Sequence, residues 1–314
     1  MAEAIDTLAG LVQMNDQNLA DLDMSDLLDD APLLKFLLAV GASNGTDHKY
    51  LKQTVASSNA FRAVGAGLTK TPSQDQLVTD TLKILDGSFS VDKALADAYT
   101  KGGAEAFMAR ELKRTMKQRM FEAESQVING VNNDAGGFIG LRDDTQLDAL
   151  ADEMVVEAAT PGAGVNLQSS VYFLREGIDD VAVIAGNDGR FDVAEEATII
   201  EKAVNPGTDN KVFPAYYIAI CGYLGFQIGA ARSAARLCNI QGTLTDDDLY
   251  EALALFPSAR QANVIAMNRG SLKALRASRT AVNPTGSPAP MPTNLDGIPI
   301  IVTDSITQIE AVVA

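Results

Sequence analysis

The apolar positions of this chain follow two different periods, and the switch between them divides the sequence into elements. Between Gly102–Gly103 and Gly130, residues Met108, Leu112, Met116, Met120, Ala123 and Val127 recur at spacings of four and three. That period places them on one stripe of an amphipathic helix, which at 1.5 Å per residue is about 40 Å long. Elsewhere the apolar residues gather in short runs. Val171–Leu174, Val181–Ala185, Asn263–Asn268 and Ile298–Thr303 each have the length of a buried strand. Thr245 with Asp248 forms a capping box before Leu249, Leu253 and Phe256, and Pro257 follows; this predicts a short helix. A further helix is predicted over Ser271–Thr280.

Two regions need a partner surface. Met24–Ser43 predicts a helix with Asp30 near its cap, Pro32 in its first turn and Gly41 at its stop. Leu33, Leu34, Phe36, Leu37, Leu38 and Val40 surround it on most sides, so it must be buried against something. From His48 to about Val91 the composition is of β type, interrupted by Gly65, Gly67 and Pro72. This predicts a long two-stranded excursion. Such a hairpin is marginal in water by itself. It must lie on its own domain or reach across to a second subunit.

The uncharged stretch Val212–Ala231 is about long enough to span a bilayer. Its Pro214, Gly222, Gly225, Gly229 and Gln227, and its aromatic and β-branched residues, favour instead a pair of buried strands turning near Cys221–Gly222. The N-terminal residues lack a basic leader and a long apolar run, so no signal peptide is expected.

Composition narrows the function. A 314-residue chain that is 46% hydrophobic builds a real core, which excludes global disorder. Its 41 acidic against 25 basic residues give −16, a charge repelled by a phosphate backbone. The same sign suits a surface that faces nucleic acid without holding it. Against that background, Arg110, Lys113, Arg114, Lys117 and Arg119 form a basic stripe on the long helix. A solvated helix face explains it; so does docking of an acidic partner segment, or proximity to enclosed DNA.

Chemistry is sparse. The two cysteines, Cys221 and Cys238, make no metal-ligand spacing and point to a reducing compartment. One histidine, His48, excludes a two-histidine metal site. Ser90–Lys93 fits a Ser-x-x-Lys pattern without its companion motifs. Asn187–Glu196 lacks the ligand spacing of a calcium loop. Gly162–Gln168 lacks the lysine of a phosphate loop. No catalytic constellation, cofactor or metal site is expected, and a structural protein fits better than an enzyme.

The order of segments resembles the major capsid proteins of tailed phages with the Hong Kong 97-like fold. The stretch from "SSNAFRAVGAGLTKTPSQDQ" to "VDKALAD" is similar to that family's extended loop. It precedes the long helix "EAFMARELKRTMKQRMFEAESQVINGVN", similar to the spine helix. "GGFIGL", "VFPAYYIAICGYLGFQIGAARSAARLCNI" and "VIAMNRGSLKALRASRT" followed by "LDGIPIIVTDSI" continue the likeness. It covers most of the chain from about His48 onward.

The resemblance implies an α+β fold divided into an N-terminal arm (1–47), an extended loop (48–101), a peripheral domain (102–140 and 205–240) and an axial domain (141–204 and 241–314). It implies a shell of hexamers and pentamers that encloses DNA without reading its sequence, in a virion whose capsid assembles in the bacterial cytoplasm. A separate scaffolding protein, a portal and a decoration protein would be its partners. An encapsulin-like compartment is the sister reading. The four prolines between Pro284 and Pro292 then form a fixed crossover that returns Ile298–Thr303 to a sheet. Contacts between subunits are expected at Phe61, Arg62, Lys70, Leu82 and Ile84 on the loop, and at Arg110, Arg114 and Lys117 on the helix.

Overall fold

A computed structural model describes residues 27–313, apart from 56–60, 68–71, 101, 144–145, 162–166, 188–191, 195–196, 204–210, 231 and 281–289. Residues 1–26 of the arm and most of the proline-rich crossover therefore lie outside the described residues. In chain order the strands are β1 (Ala39–Gly41), β2 (Asp47–Val55), β3 (Gln74–Thr81), β4 (Lys83–Asp86), β5 (Phe89–Asp92), β6 (Val155–Glu157), β7 (Ser169–Leu174) and β8 (Val181–Ala185). They continue with β9 (Asp192–Val193), β10 (Thr198–Ala203), β11 (Val212–Ile218), β12 (Ile220–Ile228), β13 (Ala234–Ile240), β14 (Val264–Met267), β15 (Asn294–Leu295) and β16 (Ile298–Val302). The helices are α1 (Lys93–Asp97), α2 (Gly103–Asn129), α3 (Asp246–Leu253) and α4 (Arg269–Thr280).

The long helix α2 runs 27 residues, as its apolar period requires. Met108, Met116, Met120, Ala123 and Val127 are buried along it, and Leu112 is half-buried against the same core. The chain then turns back to satisfy the carbonyls that a helix C-terminus leaves unpaired. The amides of Leu141 and Arg142 donate to the carbonyls of Val127 and Ile128, at 2.9 and 3.1 Å. This return demands glycine. A Cβ on Gly140 would sit 2.5 Å from the Gln126 carbonyl oxygen and from the Gly130 amide nitrogen. Gly130 has φ of 55°, and a Cβ there would strike the Asp143 carboxylate. That carboxylate accepts from the Gly140 and Val131 amides, at 2.6 and 3.0 Å.

Six strands form the largest sheet, in the order β15-β16-β14-β7-β13-β6. The strand expected near the C-terminus is present and lies parallel to β14, with Ile300 opposite Ile265. The capping box of α3 is present in full: Asp248 accepts from the Thr245 amide at 2.8 Å, and Thr245 Oγ1 accepts from the Asp248 amide. The other Asp248 oxygen also accepts from the Ala159 amide, at 2.9 Å, which ties the helix to the segment after β6.

Val212–Ala231 holds strands but not a pair. No helix among the described residues is long and apolar enough to cross a membrane. The chain breaks at Ala219, not near Cys221–Gly222, and β11 and β12 enter different sheets. β11 lies in a three-stranded sheet ordered β10-β11-β5, and β12 in a sheet ordered β1-β8-β12-β4 with β9 also on β12. The partner segment bends at the matching place. Leu224 to Cys221 pair with Lys83 to Asp86, and Ile218 to Ala215 with Phe89 to Asp92. One long antiparallel ladder thus changes sheets at Gly87–Ser88, where the Gly87 amide donates to the Ile220 carbonyl at 2.8 Å. Apolar runs report burial, not which neighbour covers them, so the pattern alone reads as a hairpin. Sheet membership also cuts across the expected division of 205–240, because β13 belongs to the six-stranded sheet while β12 does not. Likewise β7 and β8, assigned together, lie in different sheets.

Among the described residues, the helix expected over Met24–Ser43 is present only at Leu27 and as a short turn. A single 3-10 turn spans Pro32–Lys35, and Ala39–Gly41 form β1, parallel to β8. Leu33, Leu34 and Leu37 are buried and Phe36 is exposed. The position before the turn is Ala31, which offers no side-chain cap. That vacancy is filled from across the fold.

Candidate assembly surfaces

Among the described residues, β2 and β3 pair only with each other, in an antiparallel ribbon separate from the other sheets. Side chains alternate between its two faces. His48, Tyr50 and Lys52 share one face with Val78, Asp80 and Gln76, their cross-strand partners. The opposite face sets Leu51 directly against Leu77, and these are 66% and 58% exposed. Cross-strand leucines with neither sheet nor helix above them are an apolar pair awaiting a surface. Phe61 and Val64, between the two strands, are fully exposed as well.

The residues expected to make contacts divide into several groups. Phe61 and Arg62 are exposed, and Arg62 reaches the Ala66 carbonyl at 3.4 Å. Lys70 lies outside the described residues. Leu82 is 4% exposed, which removes it from the contact set. It closes the base of the ribbon: a Cβ on Gly186 or Gly225 would meet its methyl groups at 2.6 or 2.5 Å. The residue stands between β3 and β4, where the chain turns from the exposed ribbon into the body; composition carries no mark of that transition.

Ile84, two residues on, is 60% exposed. It borders an open groove of about 610 Å³ with Asp86, Arg114, Thr115, Arg119, Glu122 and Asp134. Arg114 and Gln118 also border a second groove, of about 560 Å³, with Lys117, Arg269, Asp29, Asp30 and Asp304. The exposed ridge of α2 thus stands between two clefts of mixed charge. Arg114 pairs with Glu111 at 2.8 Å. Arg110 stacks its guanidinium at 5.4 Å over both Tyr99 and Phe107. Part of the basic stripe is therefore engaged within the subunit.

Buried polar groups hold these surfaces in place. Glu124 lies four residues after Met120, on the apolar side of α2, and is wholly buried. Its carboxylate accepts from the Leu33 and Leu34 amides, at 2.8 and 3.3 Å, and so caps the turn that Ala31 leaves uncapped. It also accepts from the Thr303 hydroxyl and, at 3.0 Å, from the Ser305 hydroxyl. One side chain joins the N-terminal segment, α2 and the C-terminal strand. Burial raises its pKa, and the four donors offset part of that rise.

A second network centres on Arg236 in β13, which is 2% exposed. It donates to Glu310 and to Ser170 Oγ, each at 3.0 Å, and to the Leu147 carbonyl at 2.8 Å. Arg142 lies 3.6 Å from the other Glu310 oxygen. Asn239, at the end of β13, exchanges two hydrogen bonds with the backbone of Val313, at 2.9 and 2.8 Å. Together these fix the C-terminal residues on the sheet. A lone arginine inside the apolar run of β13, and a glutamate on the apolar side of α2, were the available sequence signals for both networks.

Gly162–Gln168 and Asn187–Glu196 lie largely outside the described residues, and Ser90 and Lys93 are engaged within the subunit. Ser90 Oγ accepts from Lys202 at 2.6 Å, and Lys93 pairs with Asp97 and donates to Tyr216 at 3.1 Å. Both cysteines are free, and burial pushes the Cys238 thiol up to about 11. Among the described residues no cluster of histidine, cysteine, aspartate and glutamate could hold a metal.

A bent ladder, a long buried-stripe helix, a six-stranded sheet flanked by helices and a separate two-stranded ribbon define a Hong Kong 97-like capsid fold. Among solved structures, a chain of bacteriophage Epsilon15 is similar with a TM-score of 0.61 at 22% identity, covering 88% of each chain. The bacteriophage JBD30 capsid is similar with a TM-score of 0.52 at 10% identity, covering 93% of this chain and 95% of that one. The encapsulin of the holo-SrpI complex from Synechococcus elongatus PCC 7942 reaches only 0.44 at 11% identity, covering 68% of this chain and 89% of that one. No curated protein matches the sequence. The model of the family described as major capsid protein GP7 matches residues 19–314, and the chain belongs to that family. It is a structural protein of a bacteriophage capsid shell, not an enzyme.

Proposed function

We propose that the protein forms hexamers and pentamers that close into an icosahedral shell around double-stranded DNA, with the β2–β3 ribbon lying across a neighbouring copy. The exposed Leu51–Leu77 pair carries this reading. A two-stranded ribbon gains stability only against another surface, and identical subunits in a ring supply that surface to one another. In this arrangement the six-stranded sheet with α3 and α4 is the axial domain. α2 and the sheets joined by the bent ladder are the peripheral domain. Ile84, Arg114 and Lys117 line the receiving grooves, and Phe61 and Arg62 lie at the reaching end. Arg110 contributes at the margin.

Assembly takes place in the host cytoplasm with a separate scaffolding protein and a portal, and a decoration protein is a further partner of the finished shell. The acidic balance keeps the wall from trapping the DNA. Electron microscopy of the purified protein, alone and with the neighbouring phage genes, tests the reading. Closed angular shells are the expected result. Small discrete particles under both conditions would overturn it, and copurified cargo enzyme in place of DNA would move the protein to the compartment class.

A further inference from the structure

The ribbon meets the body at the chain's one histidine, and the hydrogen bonds there select one tautomer of its ring. The Ser43 amide donates to His48 Nδ1 at 3.3 Å, so that nitrogen carries a lone pair. His48 Nε2 lies 2.9 Å from Gln227 Oε1 in β12. The Gln227 amide nitrogen donates to the Ile178 carbonyl at 2.7 Å, which turns its oxygen toward the imidazole. The proton therefore sits on Nε2, in a chain running from the Ile178 carbonyl through Gln227 and His48 to the Ser43 amide. Ser43 in turn accepts the Lys49 amide on its hydroxyl, at 2.9 Å, at the start of the ribbon. Both His48 and Gln227 are buried, although Lys49 and Leu51 in β2 are exposed.

We propose that His48 and Gln227 are positioning residues, a pin that sets the angle at which the ribbon leaves the body, and that protonating His48 loosens it. An imidazolium carries hydrogen on both nitrogens, so Nδ1–H would face the Ser43 N–H and that hydrogen bond is lost. The groups around the ring make this a contest. Asp80, its cross-strand partner in β3, is the carboxyl that faces it, and burial raises the pKa of that acid. Tyr50, stacked on the ring at 5.9 Å, hydrogen-bonds Asp80 and shares that carboxylate. Lys52 also acts on Asp80, and shares a cleft with Asp152 and Glu153 where the ribbon passes the body. Behind Ile178, Asp180 is held by Arg175.

The pin acts within one subunit, and only its consequence for shell geometry rests on the proposed function. The test therefore uses the full-length unassembled protein. Hydrogen exchange of the ribbon, corrected for intrinsic rates, is followed from about pH 8 to about pH 5, the interval in which imidazoles exchange protons. Wild type is expected to lose protection by about tenfold across a one-proton transition. His48→Asn keeps an acceptor for the Ser43 amide and has no imidazole, so its profile should be flat. Gln227→Leu should show at pH 8 the exchange that wild type reaches only in acid. A flat wild-type profile, or a transition that persists in His48→Asn, overturns the pin. If both variants unfold, the wild-type profile remains decisive through the chain's single histidine, whose ring signals must titrate together with the exchange. Failure of ribbon variants to affect shells would instead count against the proposed function.

Discussion

The six-stranded sheet and the β2–β3 ribbon are both built from short β-type runs, yet they solve opposite problems. Strands β7, β13 and β14 are buried at every position, and Arg236, Ser170 and Asn239 find polar partners inside the subunit. The ribbon leaves its cross-strand leucines open and, among the described residues, pairs with no third strand. A domain core satisfies its apolar and polar groups at home, whereas an assembly arm leaves the apolar ones for a neighbour. The change from one regime to the other falls between Leu77, exposed in the ribbon, and Leu82, buried at its base.

Substitutions in the two regions should therefore separate folding from assembly. The largest effect is expected for Glu310→Ala, which strands Arg236 as a buried charge. Breaking such a pair costs about 3–5 kcal/mol, read as a fall in denaturant midpoint or as loss of soluble protein. Wild-type stability in this variant would remove the network from the account of the sheet. Leu82→Ala comes next, at about 2–5 kcal/mol for a buried leucine. If it unfolds near the wild-type midpoint but blocks shells, Leu82 is a contact residue after all. Gly140→Ala forces a Cβ against two backbone atoms and should cost about 1–3 kcal/mol, with faster exchange at Leu141 and Arg142.

Glu124 sharpens the comparison through pH. Its folded pKa is raised by burial, so the folded chain holds that proton more tightly than the unfolded chain does. Its favourable contribution is complete below the ordinary glutamate range and declines as pH rises through the folded value. Glu124→Gln should flatten that part of the profile of melting temperature against pH, whereas an unchanged profile would show that another group governs it. The smallest effect on stability is expected for Leu77→Asp, within about 0.5 kcal/mol for an exposed site. Its shell yield should nevertheless collapse. Normal shells would return the ribbon to its own subunit. Arg62→Glu should behave alike, more weakly.

How much of this was legible in advance depended on whether a signal was local. The period of Met108, Met116, Met120 and Val127, the Thr245–Asp248 capping box and the strand at Ile298 are properties of neighbouring residues, and they are found where the pattern puts them. The two-stranded character of the ribbon was local as well. The Met24–Ser43 helix was not. Its leucines demand burial, but the carboxylate that caps Pro32–Lys35 comes from Glu124, 91 residues away from Leu33. Pairing partners were equally hidden. The run at Val212–Ala231 announces two buried strands, but nothing in it says that the chain bends at Ala219 and feeds two sheets. The order and spacing of segments carried the likeness to a capsid protein.

The sequence by itself determined the periods, the Thr245–Asp248 cap, the helix stop at Gly130, the acidic balance and the scarcity of catalytic side chains. These depend on covalent neighbours and composition. Only the tertiary structure decided which buried strands are neighbours, which glutamates and arginines meet, and which leucines remain in solvent. Those outcomes depend on what fills the space across the chain, and one apolar residue looks like another until its cover is known.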